Sequence, residues 1–259
     1  MAKIDANGAN LLLGRGKWYF DRKDSSGAYG GYRFLGNADA SELTAEAQKA
    51  EKYGSTTSAT IKLKSVVTQQ NFTLTMNLSE YTAENLAMAF FGTTGTLTQT
   101  GATVTGEALT GGANAQKGRI YKTAYRNISA VTVKQASTSL VLDTDYSIQD
   151  DKTGLIYIMP TSSTVTGLAP LTADYTYGTV ELEKASAGTV GSVEGRLLFA
   201  GDPAAGPAFD VEFWNVTFSP NGAIALITDD FGGIPLTGEV LADFVNHPTE
   251  PLYRLVKRS

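Results

Sequence analysis

Between Asn71 and Leu78 the chain alternates without a fault: Phe72, Leu74, Met76 and Leu78 take one set of positions, and Asn71, Thr73, Thr75 and Asn77 the other. Successive side chains on a strand point to opposite faces, so this spacing predicts a strand with one face in a core and one in water. Such a strand needs neighbours to pair its backbone. Further strands are expected at 17–22, 31–35, 60–67, 194–199, 211–218 and 223–228. Pro220-Asn221-Gly222 is a turn signal between the last two and predicts a hairpin over 211–228.

One helix is expected. Thr82 can cap it, Glu84 sits in its first turn, Ala83, Leu86, Ala87 and Phe90 form an apolar stripe, and Gly92 ends it. Residues 41–53 are rich in helix formers, with Glu46 and Lys49 three apart, but the stripe of Leu43, Ala47 and Ala50 is thin. They read as an exposed excursion, part helix and part loop. From Thr93 to Gly118 the chain is dominated by Gly, Thr and Ala and reads as a long connection. Short strands follow around 131–133, 146–148, 155–158 and 175–177, separated by aspartate-rich turns. The organisation expected is therefore 1–106 and 179–259 as two parts of one β domain, with 107–178 as an inserted small β domain.

Composition narrows the function classes. Only 18% of residues are charged, against roughly 25% in an average soluble protein, which permits extensive subunit contacts. A net charge of −5 argues against tight nucleic-acid binding, which needs cations on phosphates. The absence of cysteine excludes disulfides and thiolate metal sites. Leu11-Leu12-Leu13 is the only apolar run near the N-terminus, too short for a signal-peptide core or a membrane helix. No membrane anchor is expected.

Catalytic patterns fail on inspection. His247 is the single histidine and stands beside Pro248, which suits a turn better than a catalytic triad. Gly14-Arg15-Gly16-Lys17 lacks the distant Gly and the following Ser or Thr of a phosphate loop. Asp143, Asp145 and Ser147 open like a calcium loop, but Ile148 and Gly154 occupy the positions of the required Gly and Glu. Asp230-Phe231-Gly232 has no companion kinase element. Asp210, Glu212, Glu181 and Glu183 lie on alternating stretches and read as solvated strand faces rather than a glycosidase pair. Trp18 and Trp214 fall inside strands and are expected to pack rather than stack on sugars. No enzyme activity and no cofactor is expected.

Four segments, in order and spread over most of the chain, carry a resemblance. They are residues 12–22 (LLGRGKWYFDR) with Phe34-Leu35-Gly36-Asn37; Phe72-Thr73-Leu74 through Glu84-Asn85-Leu86 to Phe90-Phe91-Gly92; Asp145-Tyr146-Ser147-Ile148 with Gly154-Leu155-Ile156 and Asp174-Tyr175-Thr176-Tyr177; and Ala205-Gly206-Pro207, Asp210 to Trp214, Asp229-Asp230-Phe231-Gly232 and Gly238-Glu239-Val240. Together they resemble the tail tube (major tail) proteins of long-tailed bacteriophages. The resemblance implies a β-sandwich or barrel with one flanking helix and the inserted domain. It implies six-membered rings that stack helically around a tape measure protein, meet tail terminator and tail tip proteins, and pass genomic DNA without binding it specifically. The location implied is the virion tail, assembled in the bacterial host cytoplasm.

On that reading the connectors between subunits are the N-terminal arm (Leu11, Leu12, Leu13, Arg15, Lys17), the 39–58 excursion (Glu42, Glu46, Lys49, Tyr53) and the tail at 252–259 (Arg254, Lys257, Arg258). The lumen candidates are Asn71, Thr73, Thr75 and Asn77, with Asp210 and Glu212 as the acidic complement. A carbohydrate-binding or capsid-decoration β module is the alternative, followed by a hydrolase with an unrecognised carboxylate site and by a transmembrane barrel.

Overall fold

The computed structural model describes residues 7–56, 58–109 and 113–258. Strands hold 53% of the chain and helices 4%, so the fold is mostly β. In chain order the strands are β1 (Gly16–Arg22), β2 (Arg33–Phe34), β3 (Ala38–Gly54), β4 (Ile61–Leu78), β5 (Thr93–Gln99), β6 (Ala102–Ala108), β7 (Ile120–Lys122), β8 (Ile128–Gln135), β9 (Thr138–Ser139), β10 (Tyr146–Asp150), β11 (Leu155–Ile158), β12 (Leu171–Tyr177), β13 (Val180–Ser186), β14 (Val193–Gly201), β15 (Phe209–Pro220), β16 (Ile234–Val240) and β17 (Tyr253–Lys257). One α-helix, α1 (Ala83–Ala89), follows β4, and a short 3-10 turn (Gly8–Asn10) precedes β1.

The chain divides into two compact units. The first is built from residues up to Gly95 and from Ala185 onward; the second is Thr96–Lys184. The second therefore begins earlier and ends later than 107–178. The segment 93–118, expected as a connection, contains strands β5, β6 and, just beyond it, β7. Its threonines alternate in β5 and β6, and pairing of β6 with β12 satisfies the backbone without large apolar residues. Both chain crossings between the units run through β5 and β13, which pair with each other.

In the first unit eight strands form one sheet in the order β2-β1-β14-β15-β16-β4-β3, with β17 added to β15. Its apolar face holds Phe20, Leu74, Leu78, Leu197, Phe213, Phe218 and Ile234, all 1% exposed or less, with Met88 and Ala89 of α1 packed among them. The alternation seen at 71–78 is the inner end of β4 in this core. Thr82 caps α1 by accepting from the Asn85 amide. The buried side of α1 is Asn85, Ala87, Met88 and Ala89, so the expected stripe is rotated and Phe90 is largely exposed. Asn85 is buried because its amide group donates to the Leu35 and Glu80 carbonyls and its oxygen accepts from Arg33. The left-handed residue at the helix end is Phe91, at φ 50°, one position before Gly92.

Two expectations about strands are corrected. Residues 41–53 are neither helix nor loop: they lie within β3, paired with β4 from Ala38↔Leu78 to Gly54↔Ile61. Helix propensity is weak beside a complete ladder of interstrand hydrogen bonds. Residues 223–228 are not a strand, and no hairpin spans 211–228; β15 pairs instead with β16, from Val216↔Val240 to Pro220↔Leu236. The buried residues Ile234, Leu236 and Val240 supply the period-two apolar face there, and Gly238 between them fits because an added Cβ would stand 2.8 Å from Val216.

The second unit has its own core around Ile156, Ile158, Val165, Leu171, Ala173 and Tyr175, all 1% exposed or less. It comprises a three-stranded sheet, β10-β11-β7, and a four-stranded sheet, β6-β12-β8-β9. The strands expected at 131–133, 146–148, 155–158 and 175–177 are present within β8, β10, β11 and β12.

Candidate functional site

The β3–β4 ribbon places more of the singled-out residues than any other element. The strands are 17 and 18 residues long, but only the half of β4 from Asn71 onward reaches the core; beyond it every described residue of both strands is exposed apart from Gly54. Tyr53, Ile61, Leu63, Val66 and Val67 are between 45% and 67% exposed, large apolar side chains open to water, with Lys62 over the Tyr53 ring at 5.7 Å. Among the described residues β3 pairs with β4 alone, which leaves its other edge open. At the tip, Glu51 accepts from Lys62, Tyr53 and Ser65. These bonds hold its carboxyl below the usual range, first through Lys62, and Glu51 in return raises Lys62 and Tyr53.

Register divides the remaining candidates by face. Opposed residues share a face, and Glu42 opposes Thr75, Thr44 opposes Thr73, and Glu46 opposes Asn71. Across β16, Thr237 opposes Thr75 and Glu239 opposes Thr73. The structure thus brings Asn71, Thr73, Thr75, Asn77, Glu42 and Glu46 together with Thr237 and Glu239 on the face opposite the core. Among the described residues no basic side chain forms an ion pair with Glu42, Glu46 or Glu239. Lys49 opposes Val67 across a bulge and falls on the other face with Leu43 and Ala47. Glu239 escaped the sequence reading because its strand was not seen.

Asp210 and Glu212 sit elsewhere, on the outer face of β15 beside β17. Arg258 lies 3.1 Å from Asp210, and Arg254 lies 4.0 Å from Glu212 while also donating to Glu250. The two tail arginines therefore meet acidic partners within their own chain. Lys257, opposite Phe209, has no ion-pair partner among the described residues. Arg254 also stands 5.3 Å from the ring of Trp214, against which His247 stacks at 3.8 Å. Trp18 is in the core and donates to Ser41.

The N-terminal arm is tied by backbone and open at its side chains. Leu13 exchanges hydrogen bonds with Ala204 and Ala205, at 3.0 and 2.9 Å, while Leu11, Leu12 and Leu13 are more than half exposed. Gly206, at φ +89°, lets the Leu11 carbonyl approach where a Cβ would collide with it. The Arg15 side chain donates to the Gly14 carbonyl, and Lys17 is exposed on β1. Residues 1–6 and Ser259 lie outside the described residues.

Among the described residues no group of three or more His, Asp or Glu could hold a metal, and no helix is long and apolar enough to cross a membrane. Asp145, the calcium-loop candidate, is buried and spends its oxygens on the Ser162 hydroxyl and the Val141 amide. A large shallow cavity lined by Arg22, Lys23, Asp24, Ser192 and Glu194 has its cations engaged: Arg22 donates to the Gly92 carbonyl, and Lys23 lies 3.8 Å from Glu194. No curated protein matches the chain. A family model described as "Protein of unknown function UCP028589" matches residues 11–251, and the chain belongs to that family.

Proposed function

We propose that this chain is a non-enzymatic structural subunit of a phage tail tube, polymerising as stacked six-membered rings around a conduit for the genome. The observation that carries the reading is the outer half of the β3–β4 ribbon. A two-stranded ribbon standing alone in water is marginal, and an apolar ribbon with an open edge is an aggregation hazard. Contact with other copies covers both, and contacts between unlike surfaces repeat without closing, which builds a filament. The exposed leucines of the N-terminal arm support the same reading. So does the polar outer face of β4, β3 and β16, whose hydroxyls, amides and unpaired glutamates suit a wall along which DNA moves without sticking. In this reading the tape measure, terminator and tip proteins are the other partners, and the virion tail is the location.

A carbohydrate-binding module has less support: Trp18 is buried, and Trp214 is taken by His247 and Arg254. Negative-stain microscopy and sedimentation of concentrated purified protein test the proposal. Rings or tubes are expected from the full chain, and folded monomers without tubes from a chain lacking residues 1–16. A full chain that stays monomeric at every concentration would overturn the reading.

A further inference from the structure

The loop between β15 and β16 exposes three large apolar side chains almost completely: Leu226 at 88%, Ile227 at 95% and Phe231 at 99%. Asp229 and Asp230 stand among them, and no basic residue occurs from 223 to 233. The loop is fixed at its base. The Tyr81 hydroxyl lies 3.2 Å from the Ala225 carbonyl and 3.3 Å from that of Gly233, and the Asn221 amide donates to Pro235. A tethered loop that presents apolar side chains to water is shaped for a partner.

The tip of the β3–β4 ribbon has the complementary character. Residues 49–64 carry four lysines and one glutamate, and the lysines are interleaved with exposed Tyr53, Ile61 and Leu63. Glu51 engages Lys62, which leaves Lys49, Lys52 and Lys64 without an ion pair among the described residues. The two surfaces lie at opposite ends of one strand. Ile234, at the end of the loop, pairs with Leu78, the last residue of β4, whereas the tip pairs through Ile61, its first. An 18-residue strand spans roughly 55 Å, so the surfaces do not meet within one chain.

We infer that the basic, apolar ribbon tip of one copy docks on the acidic, apolar 223–233 loop of the next. The occupant is a second copy because each surface supplies the charge the other lacks. The contact is head-to-tail along β4, so it can repeat from copy to copy. This inference rests on the self-assembly reading and specifies its axial contact.

Charge reversal on each side tests it. K52E/K64E and D229K/D230K should each keep the wild-type circular dichroism but raise the critical concentration for polymerisation by about tenfold or more at low salt. Mixing the two variants should restore polymers, because each tip then meets an opposite charge on the other variant's loop. A misfolded protein gives no such restoration. Wild-type protein that never polymerises overturns the self-assembly reading, and this contact with it. Wild-type protein that polymerises, with variants that polymerise equally or that fail to complement, overturns this contact alone.

Discussion

The Asp21 carboxylate is 1% exposed and accepts from Arg196 twice, at 3.0 and 2.7 Å, and from the Gly30 and Gly31 amides at 3.1 and 2.9 Å. The guanidinium of Arg196 in turn lies 4.4 Å from the Tyr29 ring and 5.1 Å from that of Tyr32. Its hydrogen bond to Asp21 raises it above the ordinary arginine range. One carboxylate thus fastens the loop after β1 to the sheet. Asp21→Ala would strand two amides and a partly buried cation and should destabilise the fold by about 2–4 kcal/mol. Arg196 remains in part solvated, which keeps the loss below that of a fully buried pair. Urea unfolding measures it; a midpoint unchanged from wild type would show that the loop's tyrosines alone hold it. Asp21 was legible in sequence only as a strand residue, because its four donors come from two segments, 30–31 and Arg196, the second far away in the chain.

The ribbon shows why some elements could be read from sequence and others could not. The inner half of β4 is half in a core, so selection for burial writes period two into it. β3 faces water on both sides, and nothing there imposes a period, so its Ala, Glu, Gln and Lys look helical. Ile61, Val66 and Val67 still mark the outer half of β4 as the strand expected at 60–67. The strand β16 was hidden differently. Pro235 and Gly238 resemble breakers, yet Pro235 stands second in its strand and Gly238 makes room for Val216 and Phe218. The apolar run at 224–227 reads as a strand, although only Ile224 packs against the core and Leu226 and Ile227 remain in water. At the ribbon tip the shifts of Glu51 and Lys62 set a pH window. The lowered carboxyl stabilises the tip above the ordinary Glu pKa, an effect lost as pH falls through the lowered value. The raised lysine stabilises it below the ordinary Lys pKa, an effect lost as pH rises through the raised value. Amide exchange of residues 50–64, corrected for intrinsic rates, should therefore be slowest between the two limits. Glu51→Gln should remove the acid limb; an acid limb that persists would assign it to another group.

At the scale of the whole molecule, the two units have separate cores, so the first is expected to fold without the second. Gly95 and Ala185 lie within the paired strands β5 and β13, and neighbouring strands lie about 4.8 Å apart, so a short Gly/Ser bridge can replace Thr96–Lys184. The shortened chain should retain β circular dichroism and form tubes; loss of the β signal would show that the first core depends on the second. The proposed lumen gives a sharper test, because it asks what the polar face does if copies surround it. Thr73 and Thr75 are central on that face, flanked in register by Thr44, Glu42, Glu239 and Thr237. Neither side chain reaches the core, so lysine at both positions should leave the monomer folded. Six subunits would then add about a dozen cations to each ring, and each phosphate they contact strengthens binding and its dependence on salt. Tubes carrying Thr73→Lys and Thr75→Lys should assemble but eject DNA more slowly than wild type at low salt, with the difference shrinking as salt is added. Wild-type ejection kinetics at low salt, from particles shown to contain the variant, would place this face outside the conduit while leaving the self-assembly reading standing.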